Sequence, residues 1–185
     1  LEAYEYSIIS NNTMHRSGTL QPLGDNVVIN GNSIYGTTAY SINGSSNANI
    51  SITNNQITAG LDEAIVVNGP GALISGNSIT EHLGGGIYLF SNAASTTIVG
   101  NYLFNPGDSN CCESGISVNG ANDVVISNNY IAEAPGDSID IQSDTDNVVI
   151  SNNRIIHTTG GSYYPINISS YSNEAYLSNN VLDGS

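Results

Sequence analysis

Three carboxylates fall at intervals that suggest joint chemistry: Glu113, Asp137 and Asp140. If successive repeats of the chain stack, Glu113 and either aspartate belong to consecutive layers. Their carboxyls then lie about 5–9 Å apart, the separation used by the two acids of a glycosidase. One acid protonates the glycosidic oxygen, and the other serves as base or nucleophile. Tyr88 and Phe90 alternate along the chain ahead of them. Exposed aromatic faces stack on sugar rings, and the amides of Asn119 and Gln142 can bond sugar hydroxyls. His82, in a preceding turn, is expected to lie in solvent beside the same surface. These residues are the candidates: Glu113, Asp137 and Asp140 for catalysis, and Tyr88, Phe90, His82, Asn119 and Gln142 for substrate binding.

The charge balance limits what such a site can bind. The 185-residue chain has 16 acidic residues against 2 basic ones, Arg16 and Arg154, and its net charge is −14. Nucleic-acid binding needs Lys and Arg to displace counterions from phosphates, so that class is excluded. A polybasic membrane contact is excluded for the same reason. No run of about 18 apolar residues occurs, so no membrane-spanning helix and no membrane insertion are expected. Leu1-Glu2-Ala3-Tyr4 carries no basic leader, so an exported form has had its signal removed or carries it elsewhere.

Metal and thiol chemistry find little support. His15, His82 and His157 lack ligand spacing, and no metal or cofactor is expected. Weak calcium binding by the acidic turns Asp62-Glu63 and Asp144-Thr145-Asp146 is the one exception, through oxygen ligands. Cys111-Cys112 lacks the C-x-x-C spacing of a metal site. The pair reads as two free or oxidised thiols in a loop, as a vicinal disulfide, or as a bond to another chain. Sequons occur at Asn11, Asn43, Asn49 and Asn167 and matter only on a glycosylating export route.

The elements that must hold these residues follow from a repeat. An apolar alternation, one or two Asn or Gly-Asn, any residue, then an aliphatic residue recurs along the chain. Examples are Ile50-Ser51-Ile52-Thr53-Asn54-Asn55-Gln56-Ile57 and Val148-Val149-Ile150-Ser151-Asn152-Asn153-Arg154-Ile155. The recurring residues are Asn12, Asn32, Asn55, Asn77, Asn101, Asn129, Asn153 and Asn180, at spacings of 20, 23, 22, 24, 28, 24 and 27. Between them lies a second alternation, often led by glycine, as in Ile87-Tyr88-Leu89-Phe90 and Ile139-Asp140-Ile141-Gln142. Period-2 alternation marks strands with one buried face, and no stretch sustains a helical period. Each unit thus holds three short strands: one before the Asn, one after it, and the Gly-led one. Such a unit buries its apolar face only by stacking on its neighbours. The recurring Asn is expected at the bend between the first two strands, in left-handed geometry. Its amide would bond the equivalent Asn one coil away, forming a buried ladder. Eight coils at ~4.8 Å each give a rod of roughly 38 Å.

This pattern, from Tyr6 to Leu182, resembles the right-handed parallel β-helices of the pectin lyase-like superfamily. The fold expected is all-β, a solenoid of about eight three-stranded coils with an Asn ladder. Residues 1–185 form a single domain, part of a longer β-helix or of an assembly. The resemblance implies a substrate lying along the Gly-led strand and its turns. There the outward positions are Ser41 and Asn43, Val66 and Asn68, Tyr88 and Phe90, Ser117 and Asn119, Asp140 and Gln142, and Asn167 and Ser169. Gly136-Asp137-Ser138-Ile139-Asp140-Ile141 loosely resembles the Asp-containing strand of polygalacturonases. The basic residues that pectate lyases and polygalacturonases use have no counterpart: there is no lysine, and neither arginine falls on this strand. The alginate epimerase motif is absent too.

Two functions fit. One is an extracellular or cell-surface module that binds or processes a neutral or weakly charged polysaccharide; as an enzyme it would use a carboxylate pair. The other is a non-catalytic module of a surface layer, sheath, filament or virion fibre. Self-association would then run through open helix ends or through Cys111-Cys112.

Overall fold

The computed structural model describes residues 2–16, 18–107, 113–142, 144–157 and 163–184. Cys111 and Cys112 lie outside the described residues, as does most of the turn between Asn105 and Ser114. The described chain is a parallel β-solenoid. Strands before each bend, from Ile8–Ser10 to Asn173–Ser178, form one eight-stranded sheet. Strands after it, from Thr13–His15 to Val181–Gly184, form a second sheet of eight. The Gly-led strands, from Ile42–Asn43 to Ile166–Ile168, form a third sheet of six. Eight rungs in the first two sheets span about seven full turns. The third face also starts earlier than the repeat suggests. Glu2–Ala3 pairs with Gln21–Pro22, and Leu20 bridges Ile42.

Every pairing is in register, so like stacks on like. Ile29, Ile52, Ile74, Ile98, Ile126 and Ile150 form one buried column. Ile34, Ile57, Ile79, Leu103, Ile131 and Ile155 form another. Third-sheet strands turn two side chains inward, as with Ile87 and Leu89 around outward Tyr88. Full burial of each such side chain is worth about 1.5–3 kcal/mol.

The bend divides its labour between two residues. Left-handed φ falls on the residue before each ladder position: Asn11, Gly31, Asn54, Gly76, Gly100, Asn128, Asn152 and Asn179. The ladder asparagines are not left-handed, which corrects the expectation above. Only Asn and Gly occupy the strained position, the residues that tolerate it best. With the turn made, the next side chain points inward. Asn55 donates its backbone N–H and its Nδ2–H to Asn77 Oδ1, both at 3.0 Å. Asn77 repeats this on Asn101 and also donates from Nδ2 to the Ile52 carbonyl at 2.9 Å.

A second left-handed column follows the second sheet: Arg16, Gly36, Ala59, Glu81, Asn105 and Glu133. Here Arg16, Ala59, Glu81 and Glu133, side chains with no special tolerance, also hold left-handed φ, 57° at Glu133. Glu133 is exposed, and its N–H bonds the Ile156 carbonyl. Glu133→Gly is therefore expected to stabilise the fold by about 0.5–1 kcal/mol. Glu133→Val should destabilise it. Thermal midpoints of the two variants check both signs.

Candidate functional site

The register of the third sheet places the candidate residues. One outward column runs Asn43, Val66, Tyr88, Ser117, Asp140, Asn167. Asn43, not Ser41, is thus the partner of Val66, and Ser41 is buried inside the preceding turn. Val66 and Ser117 point outward yet are buried as well. Both flank Tyr88 in the column and are too short to clear it. Tyr88 accepts a hydrogen bond at its hydroxyl from Asn119 Nδ2, at 2.8 Å. Its ring lies 4.7 Å from that of Phe90, tilted by 59°. Phe90 is exposed and Tyr88 half-buried. A tilted aromatic pair with one hydroxyl fixed makes an amphipathic platform.

Beside it lie the turns entering the third sheet. With Ile65, Ile87 and Ile116 in register, the positions three and two residues before them align as Asp62–Gly84–Glu113 and Glu63–Gly85–Ser114. The glycines let neighbouring backbones pack closely: a Cβ at Gly84 would come within 2.5 Å of the Asp62 backbone. A Cβ at Gly85 would meet the Ser114 carbonyl at 2.9 Å, with Glu113 Cβ at 3.7 Å and Glu63 Cγ at 3.9 Å. Glu63 and Glu113, two rungs apart, therefore approach each other across a rung without side chains. Half-burial pushes the Glu63 carboxyl up to about 8, helped by a hydrogen bond to Asp62 and by the charges of Asp62 and Glu113. Glu63 thus keeps its proton near neutral pH, as a general acid must. The Tyr40 hydroxyl is raised too, by burial and then by Asp62, Glu63 and Tyr88.

Asp137 and Asp140 lie one rung further along, where the Gly136 N–H bonds the Glu113 carbonyl. Asp137 accepts the Tyr164 N–H at 2.6 Å. Its carboxyl is raised by burial and less strongly by Asp140, against the lowering effect of the Tyr164 bond. Asp140 accepts from Gln142 Nε2 at 2.8 Å and Asn167 Nδ2 at 2.9 Å. Asp137 therefore ties down the next turn, while Asp140, Gln142 and Asn167 present a bonded polar strip on the outer face.

His82 is not on the surface. It is fully buried, with Nδ1 2.8 Å from the Asp62 carbonyl and Nε2 3.3 Å from Ser41 Oγ. Ser41 Oγ in turn lies 2.7 Å from Thr37 Oγ1. Burial holds the imidazole below its ordinary range, so it is neutral at pH 7. Nδ1–H then donates to the carbonyl, and Nε2 accepts from Ser41. Gly60 makes room for this ring: a Cβ there would come within 2.2 Å of His82 Cε1. His82 braces the Asp62 turn from inside and reaches a ligand only through it.

The acidic turns named for calcium are engaged with the backbone. Asp146 accepts the Asn173 N–H, and Thr145 Oγ1 accepts the Gly120 N–H. Among the described residues no three His, Cys, Asp or Glu side chains gather as a metal site. Arg154 lies on the second sheet, 5.9 Å from the Tyr130 ring and 3.7 Å from Asp183. Tyr130 itself stacks on Tyr102 at 5.1 Å.

Sequence reasoning passed over Glu63 and Tyr40 as site residues. The signal was Gly84-Gly85-Gly86, a rung without side chains between two acids, legible only after the isoleucines are aligned. The family model described as "right handed beta helix region" matches residues 1–103. Comparisons with curated proteins and with solved structures find no match.

Proposed function

The chain belongs to the right-handed β-helix family, and from that premise we propose that it is an extracellular module binding a neutral or weakly charged polysaccharide along its third sheet. The observation that carries this reading is the Tyr88–Phe90 platform lying on the same face as the Glu63–Glu113 notch. The rings offer an apolar face to a sugar, and Asn119 orients the one hydroxyl between them. Asp140, Gln142 and Asn167 extend the face with hydrogen-bonding groups. A net charge of −14 disfavours polyanionic glycans. If the bound glycan is also cleaved, Glu63 is the proton donor and Glu113 the partner acid on the far side of Gly85. Asp137 and Asp140 then contribute to binding.

A glycan array with the intact chain tests this, followed by titration of the best ligand. Tyr88→Ala and Phe90→Ala are each expected to weaken binding roughly tenfold, about 1.4 kcal/mol. Tyr102→Ala, on the second sheet, should leave affinity unchanged. Absence of binding to any glycan, or equal losses at Tyr102 and Tyr88, overturns the reading.

A further inference from the structure

His82 ties together the turns of three successive coils. The turn carrying Thr37 and Ser41 enters Ile42–Asn43, that carrying Gly60 and Asp62 enters Ile65–Val67, and that of His82 enters Ile87–Leu89. The backbone pins them in sequence. Leu61 donates its N–H to the Thr37 carbonyl and Leu83 to the Gly60 carbonyl, each at 3.0 Å. Inside them a hydrogen-bonded chain runs from Thr37 Oγ1 through Ser41 Oγ to His82 Nε2, and from Nδ1 to the Asp62 carbonyl. Thr37, Ser41 and His82 are each at most 1% exposed. Ser41 also donates its N–H to the Glu63 carbonyl at 3.3 Å. The ring and its serine thus hold consecutive carbonyls of the turn that carries Glu63. The Asp62 carboxylate is turned back on the Glu63 N–H at 3.1 Å, and among the described residues no metal site forms there.

This chain of bonds suits one protonation state. With a neutral ring, Thr37 donates to Ser41, Ser41 to Nε2, and Nδ1–H to the carbonyl. An imidazolium donates from both nitrogens. Ser41 Oγ then receives the ring's hydrogen, and one hydroxyl hydrogen of Ser41 or Thr37 must find a new acceptor in the interior. The buried charge also loses its hydration. The titratable groups on the elements around the ring are Asp62 and Glu63 on one turn, Glu113 on the turn beyond Gly84, Tyr40 beside Ser41, and Glu81 before the ring on its own turn. Of these Asp62 favours the charged ring, and burial outweighs it.

We propose that His82 is an acid-released brace on the candidate site: the neutral ring fixes the Asp62–Glu63 turn, and charging the ring frees that turn while the coils around it stay folded. The ring leaves Ser41 to reach water, and the Asp62 carbonyl loses its donor. The folded-state value of His82 lies below its ordinary 6.5. The stability lent by the neutral ring is therefore fully present above about pH 6.5 and is lost as pH falls from there through the folded value. Glu63 loses its proton at the other end of the scale, near pH 8. The turn is thus both braced and protonated only in a window bounded by Glu63 above and His82 below. As regulation of glycan binding or cleavage this rests on the function proposed above, but the brace itself is measured without a ligand.

Nuclear magnetic resonance of the 185-residue chain, taken from neutral to acid pH, tests it. The ring signals of His82 and the amide signals of Leu61, Asp62 and Glu63 are expected to change in one shared step. The ladder amides of Asn55, Asn77 and Asn101 should hold their positions through it. His82→Gln supplies a donor and an acceptor but has no proton to gain, so the step should vanish and the turn stay closed in acid. Ser41→Ala removes the donor to Nε2, which favours the neutral ring. The step should then move up by about half to one pH unit. If His82→Gln does not fold, Ser41→Ala decides alone. No step at Leu61, Asp62 and Glu63, an unchanged step in His82→Gln, no upward shift in Ser41→Ala, or loss of the ladder amides at the same pH would each overturn the brace. A clean step in a chain that binds no glycan would uphold the brace and sink the glycan reading.

Discussion

Replacing Asn77 with leucine is expected to cost about 4 kcal/mol or more. Leucine nearly matches the volume but neither donates nor accepts. Asn55 then loses the acceptor of its backbone N–H and of its Nδ2–H. The Ile52 carbonyl and Asn101 Oδ1 each lose a donor. All lie in the interior, with Asn55, Asn77 and Asn101 each 1% exposed, so water cannot replace the bonds. A buried group left unpaired costs about 1–3 kcal/mol; Asn101 Oδ1 keeps the backbone N–H of residue 77, so the two Asn55 donors and the Ile52 carbonyl carry the loss. Against a typical domain stability of roughly 5–15 kcal/mol this is severe. Asn12→Ala makes the contrast. Asn12 is exposed, and among the described residues nothing donates to its Oδ1, so its loss should stay within about 1 kcal/mol. Urea unfolding of the two variants measures both. A cost below about 1 kcal/mol for Asn77→Leu would show that the ladder only accompanies the fold and does not hold it.

The second large effect concerns pH. The folded-state value of Glu63 is about 8, above its ordinary 4.5. The folded chain therefore holds this proton more tightly than the unfolded chain does. The stability this lends is fully present below about pH 4.5 and is lost as pH rises through about 8. Glutamine keeps the neutral shape and has no proton to lose. Glu63→Gln is expected to be more stable than the parent above pH 8, with the difference vanishing below pH 4.5. Because Glu63 is only half-buried, solvent screening reduces the gain to the order of 1–2 kcal/mol. Thermal midpoints across this range check it. Equal pH dependence in parent and variant would remove Glu63 as a proton carrier in the notch, whatever becomes of glycan binding.

The division between sequence and structure is clear at particular residues. The spacing of Asn12, Asn32, Asn55 and their successors, with alternating isoleucines on either side, determined three parallel sheets and a buried ladder. A coil of this length can satisfy its apolar face and its amides in no other way than on its neighbours. The same alternation determined that Tyr88, Phe90, Asp140 and Gln142 face outward, because inward and outward strictly alternate in a strand. The sequence also excluded lysine-dependent chemistry, since no lysine is present.

What each rung meets on the next was decided by register, and register is a tertiary fact. Turns vary in length, so sequence distance did not reveal that Glu63 and Glu113 face each other over Gly85, or that Asp137 is spent on the Tyr164 N–H. His82 reads as a polar turn residue, but the turn folds over it because Gly60 leaves the space and Ser41 and the Asp62 carbonyl satisfy both ring nitrogens. The ladder's direction was likewise invisible. A symmetric-looking run of asparagines acquires donor and acceptor ends only when each amide is fixed against the carbonyl of the preceding rung.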